Sequence, residues 1–355
     1  MENPASSKLV SAVIPCLGRP DLTRRCLDSL SRQSLKPQDF DIILVENGGL
    51  PSLSPGDSPP SNARRLTLDA NYGTAGAFNR GIAASSSKYV LLLNNDVELQ
   101  PDFVATLVTA LDKDPRCAFA SGKLLSAADR ARLDGAGDAM LAGGGAYRLG
   151  HGDRDTGQFD AESALLSACG AAVLFRRSVL DEIAGFDEDF FAYLDDLDVC
   201  VRAHLAGYTG LYVPQAIVFH VGSATLGDPF HPKIAEFLTR NQIELILKNY
   251  PSGVLLRTFP RVILFQLLWL ALAVRKGAFL PWFRGILSAL QDLPKTLKKR
   301  HRVAERREIG DAEFLRLLRM SERQIYKWHS SRPADLRSTL LNAYFRVFPC
   351  HKTDR

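Results

Sequence analysis

The sequence lacks the cysteine spacing of a zinc site or a redox pair. None of its six cysteines forms a C-x-x-C pair, so we expect buried, reduced thiols and a reducing compartment. Residues 1–18 also lack the basic segment and the long apolar run of a signal peptide. These absences predict a chain that starts and stays in the cytosol.

The composition is that of a folded protein with a mild charge. Hydrophobic residues make up 46% and charged residues 23% of the 355 residues, which excludes global disorder and favours two folded units. The formal net charge is only +5, and we predict no nucleic-acid partner. Basic residues are concentrated between Lys295 and Arg307, where seven Lys or Arg accompany one acid. Such a run is either a solvated helix face or a membrane-surface patch.

Short apolar segments alternate with helical patterns in the first third of the chain. The predicted strands are Leu9–Pro15, Asp41–Val45, Arg65–Leu68 and Tyr89–Leu93, and the predicted helices are Asp21–Leu35, Ala75–Ser85 and Pro101–Asp112. Strands that are apolar throughout indicate a parallel sheet covered on both faces. Ligands of such sheets bind beyond the carboxyl ends of the strands, where Glu46 and Asn94-Asn95-Asp96 lie.

The middle of the chain has a weaker pattern. Its glycine-rich part, Gly135–Gly157, predicts loops or irregular strands. The predicted elements after it are the strands Ser167–Phe175 and Leu211–His220 and the helices Ser178–Ile183 and Asp195–Gly207.

The composition becomes more apolar after Tyr250. The stretch Val262–Val274 has 13 residues without a charge, whereas a spanning helix needs about 20. Ala278–Leu290 adds Trp and Phe and is followed by the basic run. Apolar helices with aromatic residues beside Lys and Arg favour an anchor lying in the membrane surface. The alternative is a helical subdomain packed on the rest of the protein.

Three polar features carry the chemistry. Asp96 offers a carboxylate for Mg²⁺ or Mn²⁺, which prefer oxygen ligands and often share them with a diphosphate; otherwise the segment is an ordinary Asn/Asp turn. Asp195, Asp196 and Asp198 open a helix, where they either favour the helix dipole or supply a general base. His220 ends an apolar strand and is either a structural hydrogen-bonding residue or a further metal ligand.

A glycine-rich segment, Asn71–Gly81, precedes a predicted helix. Glycine lets backbone N–H groups approach a nucleotide or phosphate, although any strand-to-helix turn can need glycine. The segment matches neither the Walker pattern nor the dinucleotide fingerprint.

Taken in order, these motifs resemble the family 2 glycosyltransferases, and most closely their bacterial rhamnosyltransferase-like branch. The resemblance rests on VSAVIPCLGRPDLTRRCLDSL, ILVENGG, NYGTAGAFNRG, LLLNNDVEL and CGAAVLFRRSVLDEIAGFDEDFFAYLDDLDVCVRAHLAGY. It implies the GT-A fold, an α/β architecture with a Rossmann-like, mostly parallel sheet and flanking helices, followed by a C-terminal helical, membrane-associated region. The implied catalytic domain is residues 1–250, with a donor half of about 1–100 and an acceptor half of about 101–250. Residues 251–355 would be the amphipathic, basic region.

The resemblance also implies roles for individual residues. Asp196 would be the general base, and Asp195 would support it or touch the acceptor. Asp96 and His220 would hold Mg²⁺ or Mn²⁺, with Asn94 and Asn95 shaping the turn. The residues implied to contact the nucleotide sugar are Pro15, Glu46, Asn71, Gly73 and Asn95, together with Arg202, which would orient the acids or a phosphate.

Three departures from the family pattern bear on these roles. Glu46 stands where Asp is usual, Asn94 replaces the first acid of D-x-D, and Ala77 replaces a usual Gly. The Q-x-x-R-W motif of processive synthases is absent, which favours the addition of one or a few sugars.

The expected function is inverting transfer of rhamnose from a nucleotide-diphosphate donor, dTDP-rhamnose or a UDP-sugar, to a hydroxyl of a lipid-linked or cell-surface glycan. The enzyme would act in polysaccharide biosynthesis of the cell envelope, as a cytoplasmic protein peripheral on the inner face of the membrane, and could form an oligomer. The rivals are a galactofuranosyl or other hexosyl transferase, a nucleotidylyltransferase, for which CLGRPDL is a poor signature, and a non-catalytic, membrane-associated protein that binds nucleotide sugars.

Overall fold

A computed structural model of the chain describes residues 8–222 and 231–350. The chain divides into two compact units. The sheet unit comprises Met1–Gly137, Gly150–Ala203 and Tyr208–Ala224, and the helical unit comprises Asp138–Leu149, His204–Gly207 and Thr225–Arg355. The predicted functional boundary at residue 250 stays a prediction.

The described residues form strands and helices with the following bounds. The strands are β1 Val10–Cys16, β2 Phe40–Glu46, β3 Ala63–Thr67, β4 Tyr89–Leu93, β5 Val97–Leu99, β6 Cys117–Ser126, β7 Leu133–Gly135, β8 Asp138–Met140, β9 Ala146–Arg148, β10 Ser163–Ala164, β11 Ala172–Arg176 and β12 Thr209–His220. The helices are α1 Pro20–Ser31, α2 Gly73–Ala83, α3 Phe103–Lys113, α4 Arg177–Glu182, α5 Asp195–Leu205, α6 Pro232–Asn249, α7 Ser252–Arg275, α8 Phe279–Gln291, α9 Leu293–Glu305, α10 Asp311–Ser331 and α11 Thr339–Val347. Short 3₁₀ turns cover Pro37–Asp39, Glu188–Phe190 and Ala334–Leu336.

The main sheet has the strand order β10-β12-β6-β11-β4-β1-β2-β3, with β5 paired to β12 and β7 to β6. The strands β3, β2, β1 and β4 are mutually parallel. β11 runs antiparallel to both of its neighbours, β4 and β6. The predicted α/β fold is therefore confirmed, although the sheet is mixed rather than mostly parallel.

The core follows from strands that are apolar on both faces. All five residues of β4 are fully buried, as expected of a central strand that helices cover on both sides. On one face the cluster includes Leu27 of α1 and Leu107 of α3. This packing fixes the carboxyl ends of β1, β2 and β4 along one edge of the sheet.

The hairpin β8–β9 is a part of the helical unit that is distant in sequence from its helices. Met140 N donates to Ser321 Oγ at 2.7 Å, and Ala142 N donates to Glu322 Oε1 at 3.1 Å. A Cβ on Gly145 would overlap the ring of Phe265, so the tip of the hairpin packs directly on α7. Residues 138–149 thus fold with helices that follow them by more than 100 residues.

Helix α7 is the one described helix that is long and apolar enough, by length and composition alone, to cross a membrane. Its 24 residues span about 36 Å, its best stretch has a mean hydropathy of 1.5, and 22% of that stretch is buried. Helices of soluble proteins can meet the same criteria, so the prediction of a helix that lies in the membrane surface stays a prediction.

Candidate active site

The first group of predicted site residues lies where β1, β2 and β3 end. Pro15 pairs with Val45, and Cys16 pairs with Glu46 in the parallel register of β1 and β2. Glu46 in turn pairs with Thr67 on β3. Since the carboxyl ends of parallel strands share one edge, Pro15 and Glu46 lie on neighbouring strands at that edge.

Glu46 is a buried carboxylate held by hydroxyl groups. Its Oε1 accepts hydrogen bonds from Ser52 Oγ at 2.7 Å and Ser52 N at 3.2 Å, and its Oε2 accepts one from Thr67 Oγ1 at 2.7 Å. Burial alone raises the pKa of Glu46, but the hydrogen bonds from Thr67 and Ser52 outweigh it and leave the pKa below its ordinary value. Glu46 is therefore a fixed anion at the carboxyl end of β2.

Asn47 joins this edge to the glycine-rich segment. Its amide nitrogen donates to Asn71 Oδ1 at 3.1 Å and to Gly73 O at 3.0 Å, and its Oδ1 accepts from Tyr72 N at 2.8 Å. The structure thus brings Asn71 and Gly73 next to the end of β2. Sequence reasoning assigned no role to Asn47, although it stands within the ILVENGG motif.

Gly73 also touches the loop that carries the acids. Thr74 N donates to Phe191 O at 2.7 Å. Gly73 has a φ of +70°, and a Cβ there would overlap the Phe191 carbonyl group. Glycine is therefore required for two reasons, the left-handed backbone and the close approach of the two segments.

We expect Gly73→Ala to destabilise the fold by more than about 1 kcal/mol, because alanine adds backbone strain at positive φ and a steric overlap with Phe191. Thermal unfolding measures the loss. The matched control is Gly49→Ala, because Gly49 has a φ of +76° and no atom within 4 Å of its added Cβ. Equal destabilisation by both substitutions would show that the contact with Phe191 contributes nothing.

The second group of predicted residues comes together through a strand reversal. β5 pairs antiparallel with the end of β12, where His220 lies opposite Val97. Val221 N donates to Asp96 O at 3.0 Å. This pairing places His220 Nε2 3.3 Å from Asp96 Oδ1, and both side chains are buried.

The neighbouring asparagines brace the turn. Asn95 Nδ2 donates to Thr23 Oγ1 at 3.0 Å and to Gly18 O at 3.3 Å, which ties the turn to the start of α1. Asn94 N donates to Ala171 O at 3.0 Å. The contacts of Asn94 and Asn95 fit their predicted role in shaping the turn.

The environment of His220 fits a divalent cation. Asp96 Oδ1 is buried and pairs with His220 Nε2 at 3.3 Å, but it accepts no hydrogen bond of good geometry from the residues that the structure describes. His220 Nδ1 is bound to Asp134 Oδ2 at 2.7 Å. Burial lowers the pKa of His220, but the hydrogen bond to Asp134 and the nearby Asp96 raise it to about 9, so a cation that binds Nε2 must displace a proton from the ring. One carboxylate oxygen and one imidazole nitrogen that face each other are a donor pair suited to Mn²⁺ or a similar ion.

A strained loop precedes the acidic cluster. Phe191, Tyr193 and Leu194 have φ values of 59°, 69° and 62°, in the left-handed region that non-glycine residues rarely adopt. Such residues cost about 1–3 kcal/mol each and concentrate at functional sites. The loop ends where α5 begins, at Asp195.

The two adjacent acids have different environments. Asp195 is buried, and burial followed by the charge of Asp196 raises its pKa well above the ordinary value. Asp196 is partly exposed; its Oδ2 accepts from Gly170 N at 2.9 Å and its Oδ1 from Leu197 N at 2.8 Å. Asp196 is therefore the acid that is both accessible and fixed in orientation.

Arg202 is buried and bonded within the protein. Its Nε donates to Asp198 Oδ2 at 2.8 Å, and its terminal nitrogens donate to Ile183 O and Gly185 O, each at 2.6 Å. The guanidinium group ties α5 to the segment after α4. Of the two predicted roles, orienting the acids or binding a phosphate, this geometry supports the first.

Beside His220, sequence reasoning missed Asp134, on β7. It lies 86 positions before His220, in a segment predicted only to border a glycine-rich loop. No motif or spacing in one sequence signals a hydrogen bond between positions so far apart.

A family model for "Glycosyl transferase family 2" matches residues 11–184, which include Pro15, Glu46 and Asp96. The chain is 30% identical over 231 residues to the N-acetylglucosaminyl-diphospho-decaprenol L-rhamnosyltransferase of Mycobacterium tuberculosis, with 58% of this chain and 74% of the relative covered. It is 29% identical to the O-antigen biosynthesis protein RfbC of Myxococcus xanthus, with 61% of this chain but only 17% of the relative covered. It is 28% identical to protein y4gI of Sinorhizobium fredii and spans 28% of that relative.

Two solved structures share the fold. One is GalNAc-T7 with UDP, GalNAc and Mn²⁺, with a TM-score of 0.55, 13% identity, and 74% of this chain and 52% of that chain covered. The other is the mannosyltransferase PcManGT of Pyrobaculum calidifontis with GDP-Man and Mn²⁺, with a TM-score of 0.51, 14% identity, and 85% and 87% covered. The predicted GT-A fold is confirmed by these likenesses. With 30% identity across 74% of a rhamnosyltransferase and the family model over most of the sheet unit, the chain belongs to glycosyl transferase family 2 and is a glycosyltransferase.

Proposed function

We propose that this glycosyltransferase is inverting and metal-dependent, and that it transfers rhamnose from a nucleotide-diphosphate donor to a hydroxyl of a lipid-linked or cell-surface glycan. The observation that carries the proposal is the pair of adjacent acids at the start of α5. Asp196 is accessible and held by two backbone N–H groups, whereas Asp195 is buried with a raised pKa. Environments that separate two carboxyl groups in this way are typical of acid and base assignments.

In the proposed reaction Asp196 accepts the proton of the acceptor hydroxyl as that oxygen attacks the anomeric carbon. A general base must lie within hydrogen-bond reach of the proton that it removes, and the fixed orientation of Asp196 meets the demand for a defined position. Attack from the face opposite the leaving diphosphate inverts the configuration in a single displacement. Asp195 supports Asp196 or contacts the acceptor.

Asp96 and His220 would hold the divalent cation, Mg²⁺ or Mn²⁺. When bound there, the cation would neutralise the charge that develops on the leaving diphosphate. Glu46, Pro15, Asn71 and Gly73 would contact the nucleotide, since they lie at or beside the carboxyl ends of the strands, where ligands of such sheets bind.

The choice of rhamnose and of a lipid-linked acceptor is supported by the name of one relative. The Mycobacterium tuberculosis protein is a rhamnosyltransferase named for an N-acetylglucosaminyl-diphospho-decaprenol acceptor. RfbC is named for O-antigen biosynthesis, which supports a role in cell-surface polysaccharides. The rival donor within the family is UDP-galactofuranose or another UDP-hexose.

A panel of sugar nucleotides tests the donor. We expect Mn²⁺-dependent hydrolysis of dTDP-rhamnose above that of UDP-galactofuranose, UDP-glucose and GDP-mannose, measured as release of the nucleoside diphosphate. Hydrolysis of UDP-galactofuranose alone would replace rhamnose as the donor sugar. If no donor is hydrolysed with or without a lipid-linked acceptor, the proposed reaction is wrong.

The proposed place of action is the cytoplasmic face of the cell membrane, and the support lies in the helical unit. Helix α7 exposes a stripe of large apolar side chains on one face, while Phe265 and Trp269 on another face are buried. Helix α8 likewise exposes apolar side chains while burying Gly285 and Ala289. The exposed members are Leu256, Phe259, Ile263, Leu267 and Val274 on α7, and Phe279, Leu280, Phe283, Leu287 and Leu290 on α8.

The charge of the following helix complements an anionic bilayer. Most of the Lys and Arg residues between Lys295 and Arg307 lie on α9. Lys298 and Arg302 on this helix and Arg306, the residue after it, are exposed. Basic residues near an anionic membrane contribute about 1 kcal/mol each, and apolar side chains beside them contribute through burial in the interface.

Charge reversal at Lys298, Arg302 and Arg306 to Glu is expected to weaken binding to vesicles of phosphatidylglycerol and phosphatidylcholine by about 100-fold. Flotation at low and high salt measures the partition. The control reverses three exposed basic residues of the sheet unit, Arg25, Arg32 and Lys36, and is expected to change binding much less. An equal loss of vesicle binding in both triple variants would contradict membrane docking. It would also be contradicted if the unaltered protein did not float with vesicles and sedimented as a dimer.

A further inference from the structure

We propose that Asp134 is the positioning residue of the metal site, holding the His220 ring through Nδ1 so that Nε2 faces Asp96. This inference rests on the proposed function, because it concerns the cation that Asp96 and His220 would bind. It assigns a role to a residue that neither the motifs nor the family resemblance indicate.

The first support is that the two ring nitrogens of His220 face different carboxylates. His220 Nδ1 lies 2.7 Å from Asp134 Oδ2, and Nε2 lies 3.3 Å from Asp96 Oδ1. The hydrogen bond at Nδ1 fixes the proton there when the ring is neutral, which leaves the Nε2 lone pair for a ligand. In metal-binding histidines the second ring N–H commonly donates a hydrogen bond to a carboxylate, which sets the orientation of the ring and raises the basicity of the ligating nitrogen.

The second support is burial. The side chains of Asp134 and His220 are 9% and 6% exposed. A hydrogen bond between such groups is shielded from water, so it restrains the ring more than an exposed pair would. Asp96 Oδ1, on the far side of the ring, is buried 3.3 Å from Nε2 and accepts no hydrogen bond of good geometry from the described residues, so it can exchange its contact with the ring proton for a cation.

The third support is a backbone irregularity that places Asp134. β7 pairs antiparallel with β6, with Leu124 opposite Gly135 and Leu125 opposite Leu133. Two consecutive residues of β6 therefore face two residues of β7 that flank Asp134, so Asp134 is the extra residue of a β-bulge. Bulges re-aim a side chain and are frequent next to active sites.

Asp134 is itself held from the other side. His151 Nδ1 lies 3.0 Å from the Asp134 carbonyl oxygen. Gly222 adopts a φ of +68°, and its added Cβ would stand 3.4 Å from Asp134 Oδ1, so the chain after His220 passes close to this carboxylate. The bulge and these neighbours restrain the Asp134 carboxylate, which in turn holds the orientation of the His220 ring.

The test is calorimetric titration of the purified full chain with Mn²⁺ alone. We expect Asp134→Ala to weaken Mn²⁺ affinity by about 10- to 100-fold. Asp134→Asn can still accept the hydrogen bond from Nδ1 and is expected to fall between Asp134→Ala and the unaltered protein. The control Asp129→Ala removes an exposed acid of the neighbouring turn and is expected to leave the affinity unchanged.

A double-mutant cycle separates positioning from direct ligation. If Asp134 acts through the ring, Asp134→Ala has no further effect on Mn²⁺ affinity in a His220→Ala background. An equal loss in both backgrounds would mean that Asp134 acts on the ion directly, and unchanged affinity of folded Asp134→Ala would overturn the inference. If the unaltered protein binds no Mn²⁺, the proposed metal site is wrong and this inference is wrong with it. If the unaltered protein binds Mn²⁺ and the Asp134 variants bind it as tightly as Asp129→Ala does, this inference alone is wrong. Because Asp134→Asn keeps the size of the side chain, it serves as the test variant if Asp134→Ala does not fold.

Discussion

Asp196→Asn is expected to lower the rate of sugar transfer by about 10²- to 10⁴-fold, the usual contribution of a general base. The amide keeps the shape of the side chain but cannot accept the proton of the acceptor hydroxyl. Because the proposed nucleotide contacts Pro15 and Glu46 lie at the ends of β1 and β2, we expect the affinity for the donor to change little. The measurements are steady-state transfer to a lipid-linked acceptor and donor binding by calorimetry.

The structure suggests how to separate a chemical effect from a structural one. Both Asp196 oxygens accept backbone hydrogen bonds, and asparagine can satisfy only one of them as an acceptor. Thermal unfolding of Asp196→Asn therefore accompanies the kinetics, and Asp181→Asn, at an exposed ion pair on α4, is the control for loss of one charge. Transfer at a near-normal rate by Asp196→Asn would refute its assignment as the base.

Asp96→Asn is expected to lower the rate of sugar transfer on the order of 10²- to 10⁴-fold, which corresponds to a loss of about 3–5 kcal/mol of transition-state stabilisation. Asn94 and Asn95 provide no carboxylate at this turn, so the substitution removes the only acid that the turn offers to a cation. We expect saturation with Mn²⁺ to require a much higher concentration. The assay is transfer rate against Mn²⁺ concentration.

The control for Asp96 is Asp102→Asn, which removes an exposed acid just before α3. It should leave both the rate and the Mn²⁺ dependence unchanged. A folded Asp96→Asn protein with the Mn²⁺ dependence of the unaltered enzyme would remove Asp96 from the metal site. His220 would then need a different explanation, because its Nε2 faces Asp96 Oδ1.

The elements with a regular pattern of apolar residues were predictable from the sequence. The predicted strand Tyr89–Leu93 has the observed bounds, and the predicted strand Leu9–Pro15 is observed one residue later, at Val10–Cys16. The uncharged apolar stretch Val262–Val274 lies within α7. The two strands are buried through their own apolar side chains, so their own sequences predict them.

β6 was not predicted, although it is a central strand of ten residues. Its sequence, CAFASGKLLS, contains small residues and Lys123, which is unusual in a buried strand. Lys123 pairs with Asp155 at 2.9 Å and with Asp160, and these partners make its burial possible. Because the compensating charges lie more than 30 residues away, no local pattern could reveal them.

The residues of the candidate site likewise fall into those that local sequence indicates and those that depend on distant contacts. The positions of Asp96, Asp195, Asp196 and His220 were predictable because each stands at the end of a strand or the start of a helix, in a motif, whereas their roles stay predictions. Asp134 was not, since its position depends on a bulge in the pairing of β7 with β6. Motifs thus indicate the groups that would touch substrate or ion, whereas the residues that orient them emerge only from tertiary structure.

The hairpin β8–β9 has a consequence for synthesis of the protein on the ribosome. Met140 N finds its partner Ser321 Oγ 181 residues later in the chain. At about 5–20 residues per second, roughly 10–40 s pass between translation of the hairpin and translation of α10. During that interval the edge amides of Met140 and Ala142 depend on water, and a nascent chain that stalls before α10 would present them to other strands. Completion of the hairpin is therefore a late event that couples the final folding of the central region to translation of the last helices.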